Sequence, residues 1–511
     1  VKKSTHRKLR NRKRRIEYRL RDRDWCDQEH PMFGAPNVHY EVAERTRGFG
    51  VGGIGAIHQM AQSTGLVEEI DRRLHLLKVH LPYHESDHVL NLAYNVLAGG
   101  HCLEDLELLR NDEVYLDALG AQRIPDPTTA GDFCRRFQWY HVEWLMEAIN
   151  EVRLRVWRQQ PEPFFEEAVI EADGTLVETT GECKQGMDLS YNGVWGFHPL
   201  VVSLANTQEP LYLVNRSGNR PSHEGAAERF DQAVALCRRA GFRRITLRGD
   251  TDFSQTEHLD RWNAEGVRFV FGIDAMPNLV NLAENLPKRA WKRLRRPAKY
   301  TVATQPRERP DNVKEQVVRA REFKNIRLQS EDVASFDYSP TACRETYRIV
   351  VVRKNLSVER GEQVLFDDVR YFFTITNDAE CDVCEVVFEA NDRCNQENLL
   401  AQLKGGVRAL HAPVDNLVSN WAYMVMVSLA WSLKAWFALL LPEKGRWKQR
   451  HAAQKQAVLH MEFRTFLNAM MRLPAQILRQ GRKTIYRLLG WNRWLEVFLR
   501  GWEQVRVPLP T

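Results

Sequence analysis

Cysteine is scarce and scattered in this chain, nine residues in 511. Cys26, Cys102, Cys134, Cys183, Cys237, Cys343 and Cys394 stand far apart, and only Cys381 and Cys384 form a CxxC. An odd, dispersed set argues against a disulfide framework and suits reduced thiols in a cytosol. No second CxxC and no paired-histidine motif follows the first, so the ligand set of a structural zinc site is missing as well. A strong excess of one charge is also absent. Lys and Arg number 73 against 66 Asp and Glu, a net of +7, so the distribution of charge says more than its sum. Long apolar runs are nearly absent too. Trp421 to Leu441, "WAYMVMVSLAWSLKAWFALLL", has the length of a membrane span, yet Ser428, Ser432 and Lys434 interrupt it and no comparable segment accompanies it. The expectation is a helix buried in a protein core, and no membrane partner. With 43% hydrophobic and 27% charged residues the composition is that of a folded chain rather than a disordered one.

What is present begins with a basic run. Lys2 to Arg23, "KKSTHRKLRNRKRRIEYRLRDR", carries only two acids and is expected to stay a flexible arm until it meets a polyanion. A nucleic-acid contact and a targeting peptide compete for it. The run lacks an apolar core with a small-residue cleavage site, which argues against a secretory signal, while a mitochondrial presequence stays open on composition. Residues 1–49 are read as basic arm and linker, and 50–158 as a helical domain suited to DNA binding. Within that domain "DHVLNLAYNVLAGG" stops at Gly99 and Gly100, and "PDPTTAGDFCRRF" starts a helix with Pro127 and Thr128 as cap-like residues.

From 159 to 274 the elements run β, β, β, α, β, α, β. "FFEEAVIEADGTLVETTG" and "FHPLVVSLANTQEPLYLVNRSGN" are rich in β-formers, and "EGAAERFDQAVALCRRAG" has helical periodicity with a stop at Gly241. "RRITLRGDTDF" and "VRFVFGID" read as strands around a helix capped by Ser254. This is a mixed α/β sheet with crossover helices, and such sheets favour sites at the carboxyl ends of parallel strands. Residues 275–389 read as a mostly β insertion. It opens with "LPKRAWKRLRRPAKY", where Lys288, Arg289, Lys292, Arg293, Arg295 and Arg296 are interleaved with Trp291 and Tyr300, a pattern suited to a phosphate backbone with exposed bases. Helices return over 390–445, and 446–511 is read as a basic helical tail.

Three acids stand out against this frame. In "NDRCNQENLLAQLKGG", Asn391 to Gly406, Glu397 lies four residues after Arg393 and seven before Lys404. On a continuous helix the three share one face, with Leu399 and Leu403 largely opposite. The plain reading is a solvated charged stripe above an apolar one. Asp173, in "IEADGT", and Asp250, in "LRGDTDF", fall at strand ends, where a lone carboxylate serves as turn former or cap. Two aspartates from neighbouring strands and a glutamate from a helix beside them can also hold a pair of hard divalent cations through oxygen. Ions about 4 Å apart would activate an attacking oxygen and stabilise the leaving one in phosphodiester displacement. Arg393 and Lys404 would then hold phosphates nearby.

At these residues the chain resembles a bacterial insertion-sequence transposase of the DDE type, the group whose RNase H-like core is interrupted by a β insertion. That group carries its last acid in the pattern Tyr, two residues, Arg, three residues, Glu, six residues, Lys. Arg393, Glu397 and Lys404 match it, and Ala390 replaces the tyrosine. "ADGTLVETTG" around Asp173, "YNGVWGFHPL" from Tyr191 to Leu200, "RGDTDF" around Asp250 and "RLPAQILRQGRK" near the C-terminus extend the similarity over about residues 160 to 490. The resemblance implies an RNase H-like mixed sheet flanked by helices, with 159–274 and 390–445 as the two parts of the catalytic core. It implies that Asp173, Asp250 and Glu397 are catalytic residues and metal ligands, holding two Mg²⁺ ions per site with Mn²⁺ able to substitute. It implies terminal-repeat binding, cut-and-paste movement through a hairpinned end, and a homodimer on paired DNA ends. Location in the bacterial cytoplasm, on the nucleoid, is the matching expectation.

Competing assignments stay open at this level. Asp252 and Glu171 each lie two residues from a proposed ligand, and on a strand that spacing shares a face. His198, in "GFHPL", suits a general base or a satisfied structural histidine equally. A nuclease of the same fold without strand transfer is one alternative. A silent transposase-derived DNA-binding regulator is another. A glycosidase with paired carboxylates is more distant, because no aromatic sugar platform accompanies the acids.

Overall fold

The N-terminal basic run does not stay extended. In the computed structural model, which describes residues 2–21, 40, 46–296, 313–360, 363–481 and 483–509, Lys3–Arg19 form helix α1. Leu9 is buried, and Arg12 Nη1, one turn on, donates to the carbonyls of Leu488 at 3.1 Å and Gly490 at 2.8 Å. The expected free arm is therefore corrected over this part. Residues three apart share a helix face, and that face docks on the C-terminal region while the other basic side chains remain exposed. Residues 22–39 and 41–45 of the predicted arm and linker lie outside the described residues, as does Tyr300 of the basic cluster.

After the short strand β1 (Gly48–Phe49) come helices α2 (Ile54–Ser63), α3 (Leu66–Arg73), α4 (Glu85–Ala98), α5 (Leu106–Arg110), α6 (Glu113–Leu119), α7 (Pro127–Arg135) and α8 (Trp139–Trp157). Helix α4 is buried along nearly its whole length and ends at Gly99, whose φ of 103° is open to a residue without a Cβ. The cap of α7 is Asp126 rather than Pro127 or Thr128. Its Oδ1 accepts the Thr129 N–H at 2.9 Å, and Pro127 occupies the first turn, where its missing N–H costs nothing.

The next elements are β2 (Glu167–Gly174), β3 (Val177–Glu178), β4 (Asp188–Leu189), β5 (Trp195–Phe197), β6 (Leu200–Leu204), β7 (Glu209–Val214), α9 (Ala226–Ala240), β8 (Arg244–Gly249), α10 (Leu259–Ala264) and β9 (Arg268–Ile273). Strands β3, β5 and β4 make a small separate sheet in that order. In the large sheet β2 is flanked by antiparallel β6 and parallel β8, and β9 continues parallel to β8. The crossover helix α9 links β7 to β8, as the β, β, β, α, β pattern predicts. Ser254 is not the N-cap of α10, a position held by His258. The chain leaving β8 makes two tight 3₁₀ turns first, with Asp250 capping the first of them.

Helix α11 (Pro277–Glu284), β10 (Lys292–Arg293), α12 (Val313–Ala320), β11 (Lys324–Tyr338), β12 (Tyr347–Arg360) and β13 (Gln363–Thr376) follow. They extend the same sheet, giving the order β10-β11-β12-β13-β9-β8-β2-β6-β7. Strand β13 has 14 residues, yet only Phe373–Thr376 pair with β9, so most of the three-stranded ribbon runs beyond the core. Helix α13 (Val383–Asn391) covers the inner part of one face, packing Val383, Val386 and Val387 against Val270, Val333, Val350 and Val352. The whole is an α/β, RNase H-like mixed sheet flanked by helices.

Helices α14 (Cys394–Ala401), α15 (Leu417–Leu439), α16 (Lys448–Leu459) and α17 (Phe463–Phe466) lead to strands β14 (Ala475–Gln480) and β15 (Lys483–Leu488) and to α18 (Leu495–Val505). Helix α15 is long and apolar enough to cross a membrane, and it is wholly buried inside the protein. Its Lys434 is satisfied there, donating to the Leu459 carbonyl at 2.7 Å with its ammonium 3.8 Å from the centre of the Trp431 ring. The expected helical tail contains α16, α17 and α18 but is corrected between them: "AQILRQ" alternates, with Ala475 and Ile477 buried, and forms a hairpin that pairs with β1.

Candidate active site

Strands β2 and β8 run parallel, with Glu171 opposite Arg248. Continuing both chains two residues brings Asp173 and Asp250 to the same level, side by side at the carboxyl ends. Asp173 is still in β2, where it pairs with Val201 of β6, and Asp250 is the first residue past β8. The Asp252 N–H donates to Asp250 Oδ1 at 3.1 Å, and Arg393 Nη1 donates to Oδ2 at 2.9 Å. The backbone beside Asp250 is tight. A Cβ at Gly272 of β9 would lie 2.9 Å from the Thr251 nitrogen, so only glycine allows that approach.

Glu397 comes from the facing helix α14. It lies 3.7 Å from Arg393 Nη2, and its side chain is 60% exposed. The segment read as one helix is three pieces. Helix α13 ends at Asn391, Arg393 is the N-cap of α14, and a π turn at Gln402–Gly406 closes it. The widened turn is fixed by the Val407 N–H donating to the Gln402 carbonyl at 2.8 Å. Leu399 and Leu403 are buried on the apolar side, as the periodicity predicts.

Electrostatics couples these groups. Burial pushes the Asp173 carboxyl up to about 7, repulsion from Asp250 adds to this, Arg393 opposes it, and Glu397 contributes a smaller upward push. The Asp250 carboxyl is also raised, first by burial, with Arg393 opposing and Asp252 adding. Burial lowers the Lys404 ammonium, and Asp173 partly restores it, so Lys404 faces the same cluster. The structure thus brings together Asp173, Asp250, Glu397, Arg393 and Lys404.

The neighbouring residues separate cleanly. Glu171 is buried in an ion pair with Arg248 at 2.6 Å, and Arg248 also donates to the Glu389 carbonyl at 2.8 Å, tying β2, β8 and α13 together. Asp252 is exposed on a turn rather than on a strand. His198 is buried, with Nδ1 donating to the Arg220 carbonyl at 2.7 Å and its own carbonyl accepting from Arg216 Nε at 2.9 Å. One important residue carries no sequence signal. Gln396, buried one position before Glu397, donates through Nε2 to the Val201 carbonyl at 3.1 Å and accepts from the Ser203 hydroxyl. It pins α14 to β6 at the residue paired with Asp173.

The basic cluster of the insertion is not part of this constellation. Strand β10 is the far edge of the sheet, five strand spacings from β8, or roughly 24 Å. Arg296 pairs with Glu331 at 2.6 Å, Lys292 with Asp382 at 3.4 Å and Arg293 with Asp332 at 3.7 Å. Lys288, Arg289 and Arg295 are exposed. Arg353 lies over the Trp291 ring at 4.2 Å, and Cys381 donates to Glu385 at 3.5 Å.

The donor set at Asp173, Asp250 and Glu397 is all carboxylate oxygen, which suits a hard divalent cation. A cation would relieve the repulsion that lifts Asp173. Among the described residues no group of three or more His, Cys, Asp or Glu is spaced as a ready ligand cage, and Arg393 is the positive partner of Asp250 and Glu397. The residues therefore fit such an ion by donor chemistry, with Arg393 as the group that has to give way.

Residues 50–505 match the family model described as Transposase DDE domain group 1. No curated protein sequence matches the chain. Among solved structures it is similar to the piggyBac transposase in a cryo-EM synaptic complex with hairpin DNA, at 9% identity and a TM-score of 0.36, over 83% of this chain and 82% of that one. With the family model matched across most of its length, the chain belongs to the group 1 DDE-domain transposases.

Proposed function

We propose that the protein binds the terminal inverted repeats of its own mobile element and moves it by cut-and-paste transposition, with Asp173, Asp250 and Glu397 as the catalytic carboxylates. The observation that carries this reading is the meeting of two strand-end aspartates with a helix-borne glutamate, at a site where Asp173 is pushed up to about 7. The three carboxylates would hold Mg²⁺, with Mn²⁺ able to substitute, and two such ions would supply Lewis-acid activation of the attacking oxygen and stabilisation of the leaving one. Arg393 and Lys404 bind phosphate oxygens, and Arg393 swings from Asp250 onto the DNA backbone. Gln396 holds α14 so that Glu397 stays opposite the aspartates. Water is the first nucleophile and a freed 3′-hydroxyl the second, and positioning rather than a covalent enzyme intermediate carries the transfer.

Lys288, Arg289 and Arg295, exposed on either side of the short edge strand β10, supply sequence-independent phosphate contacts, joined by Lys292 and Arg293 of that strand and by Arg296. The ribbon beyond the core supports the strained strand of a hairpinned end. A homodimer on paired ends and a place on the nucleoid in the cytoplasm complete the reading.

Cleavage of a labelled duplex from the DNA flanking the chain's own gene, in Mg²⁺, Mn²⁺ or EDTA, tests it. Metal-dependent nicking at the element boundary is expected, lost in Glu397→Gln while binding persists. The Arg393–Asp250 pair favours one second reading, a DNA-binding regulator with a closed site. Binding without cleavage by the wild type in every metal would establish that reading and withdraw the catalytic assignments.

A further inference from the structure

We propose that the hairpin joining β4 to β5 is a base-stacking element, in which Tyr191 and Trp195 pack against bases of the DNA strand lying at the catalytic edge. Three large apolar side chains are exposed on this one hairpin: Tyr191 at 90%, Trp195 at 53% and Leu189 at 44%. Leu189 and Trp195 are direct cross-strand partners, and Tyr191 stands in the turn beside them. Clustered apolar exposure of this kind marks a contact surface, whereas single exposed residues need no explanation.

The turn does not need these side chains. The Ser190 N–H donates to the Val194 carbonyl at 2.9 Å, the Gly193 N–H to the Ser190 carbonyl at 2.9 Å, and the Val194 N–H to Ser190 Oγ at 3.0 Å. Gly193, at a φ of 78°, supplies the left-handed residue that the turn demands. Serine, asparagine and glycine build the loop, and Tyr191 is carried on it as a rigid, outward-pointing ring. Little entropy is lost when such a ring is covered.

The hairpin is also fixed to the site. Phe197, at the inner end of β5, is buried and pairs with Val177, three residues beyond Gly174 of the catalytic strand. The Thr175 N–H donates to the Pro199 carbonyl at 3.0 Å, and Asn219 Nδ2 donates to Asp188 Oδ2 at 2.6 Å. The same unit also carries cations, Lys184 in the β3–β4 connection, whose ammonium donates to the Ala412 carbonyl, and half-exposed Arg220 beside Asn219, paired with Glu224 at 3.5 Å. Exposed aromatic faces on a basic DNA-handling chain suit unpaired or distorted nucleic acid, where any base can stack. DNA is the occupant because the chain is a transposase and the hairpin runs directly into β6, the strand that pairs with Asp173. The inference therefore rests on the catalytic reading of Asp173.

The test uses the full chain in EDTA, so that it reads binding without cleavage. Duplexes from the DNA flanking the chain's own gene carry 2-aminopurine at successive positions across the element boundary. The wild type should change the fluorescence at one or two positions next to the boundary. Tyr191→Ala and Trp195→Ala should lose that change and bind about tenfold more weakly, with the salt dependence of binding unaltered. Tyr191→Phe and Trp195→Phe, which keep a ring, should restore both. Because the rings are exposed, all four variants should melt like the wild type.

Wild-type fluorescence and affinity in both alanine variants would overturn the proposal. So would an unchanged fluorescence signal with a smaller DNA-bound particle by light scattering, which would make the patch an interface between two copies. An intact fluorescence change in EDTA, with no cleavage by the wild type when the same duplexes are given Mg²⁺ or Mn²⁺, would instead strike the catalytic reading alone.

Discussion

Two arginine–carboxylate clusters sit on the same sheet, two strands apart, and they have opposite characters. On β7, Glu209 is fully buried and takes hydrogen bonds from Arg153 Nε at 3.0 Å, Trp157 Nε1 at 3.0 Å and Trp436 Nε1 at 2.8 Å. Arg153 is as deeply buried and also donates to the Pro210 carbonyl at 2.8 Å and to Asn150. On β2 and β8, Asp173 and Asp250 are partly open, and one arginine serves three carboxylates. The first cluster is closed, each charge matched by a partner and by N–H donors. The second carries an excess of negative charge that the fold alone leaves uncompensated. Saturation belongs to structure, and an unbalanced cluster at strand ends belongs to a site awaiting something positive.

The contrast breaks most visibly in Asp173→Asn. Cleavage should fall by about a thousandfold or more, as when a group that stabilises developing charge is removed, yet the protein should become more stable. The Asp173 carboxyl is raised to about 7 from an ordinary 3.8, so the folded state binds a proton that the unfolded chain has already released. Wild-type stability therefore falls as pH rises from about 4 to about 7 and levels off above. The asparagine variant lacks that slope. Urea unfolding at pH 5 and pH 8 should show its advantage growing toward pH 8. Mg²⁺ at pH 8 should stabilise the wild type and leave the variant unmoved.

Glu209→Gln should do the reverse. It leaves Arg153 buried without its counter-charge and should cost about 3–5 kcal/mol, read by the same unfolding curves. Cleavage per folded molecule should be unchanged. A loss of cleavage matching that of Asp173→Asn, at full stability, would erase the distinction between the clusters.

A smaller effect sharpens the open cluster. Gln396→Leu keeps the volume of a buried side chain but removes its bonds to Val201 and Ser203, so α14 loses its polar anchor beside Asp173. The rate should drop by about 10- to 100-fold, the usual scale for a residue that orients a ligand. DNA affinity should hold, and Gln396→Glu, which keeps one acceptor, should recover part of the rate.

The sequence shows the open cluster better than the closed one. Asp173 and Asp250 can be placed because strand-formers precede each and a turn follows, and Glu397 because charge spacing survives on a helix face. Glu209 lies in "QEPLYLV", where nothing announces that Arg153 and two tryptophans converge on it from α8 and α15. Gln396 is equally silent, since a buried glutamine looks like a surface one until its partners are known. The C-terminal hairpin is hidden for a related reason: its strands have six residues each, and β14 pairs with Gly48 and Phe49, more than 400 positions earlier. The π turn is invisible because it depends on where the chain goes afterwards, with Gln402 also accepting from the Phe463 N–H at 2.9 Å.

The smallest expected effect concerns helix α1, and the docked face of that helix dictates how to measure it. Deleting the whole basic run would also remove Leu9 from the core and Arg12 from the Leu488 and Gly490 carbonyls, mixing a folding change with a binding change. Arg7, Arg10 and Arg14 lie three and four residues apart on an exposed face, away from Leu9. Converting these three to Gln should leave the melting temperature alone and flatten the slope of log affinity against log salt by about 0.9 for each phosphate no longer neutralised. A slope unchanged within error, at wild-type stability, would show that α1 braces the C-terminal hairpin and does not touch DNA. The excess charge of this protein would then act only where the fold gathers it around the acids.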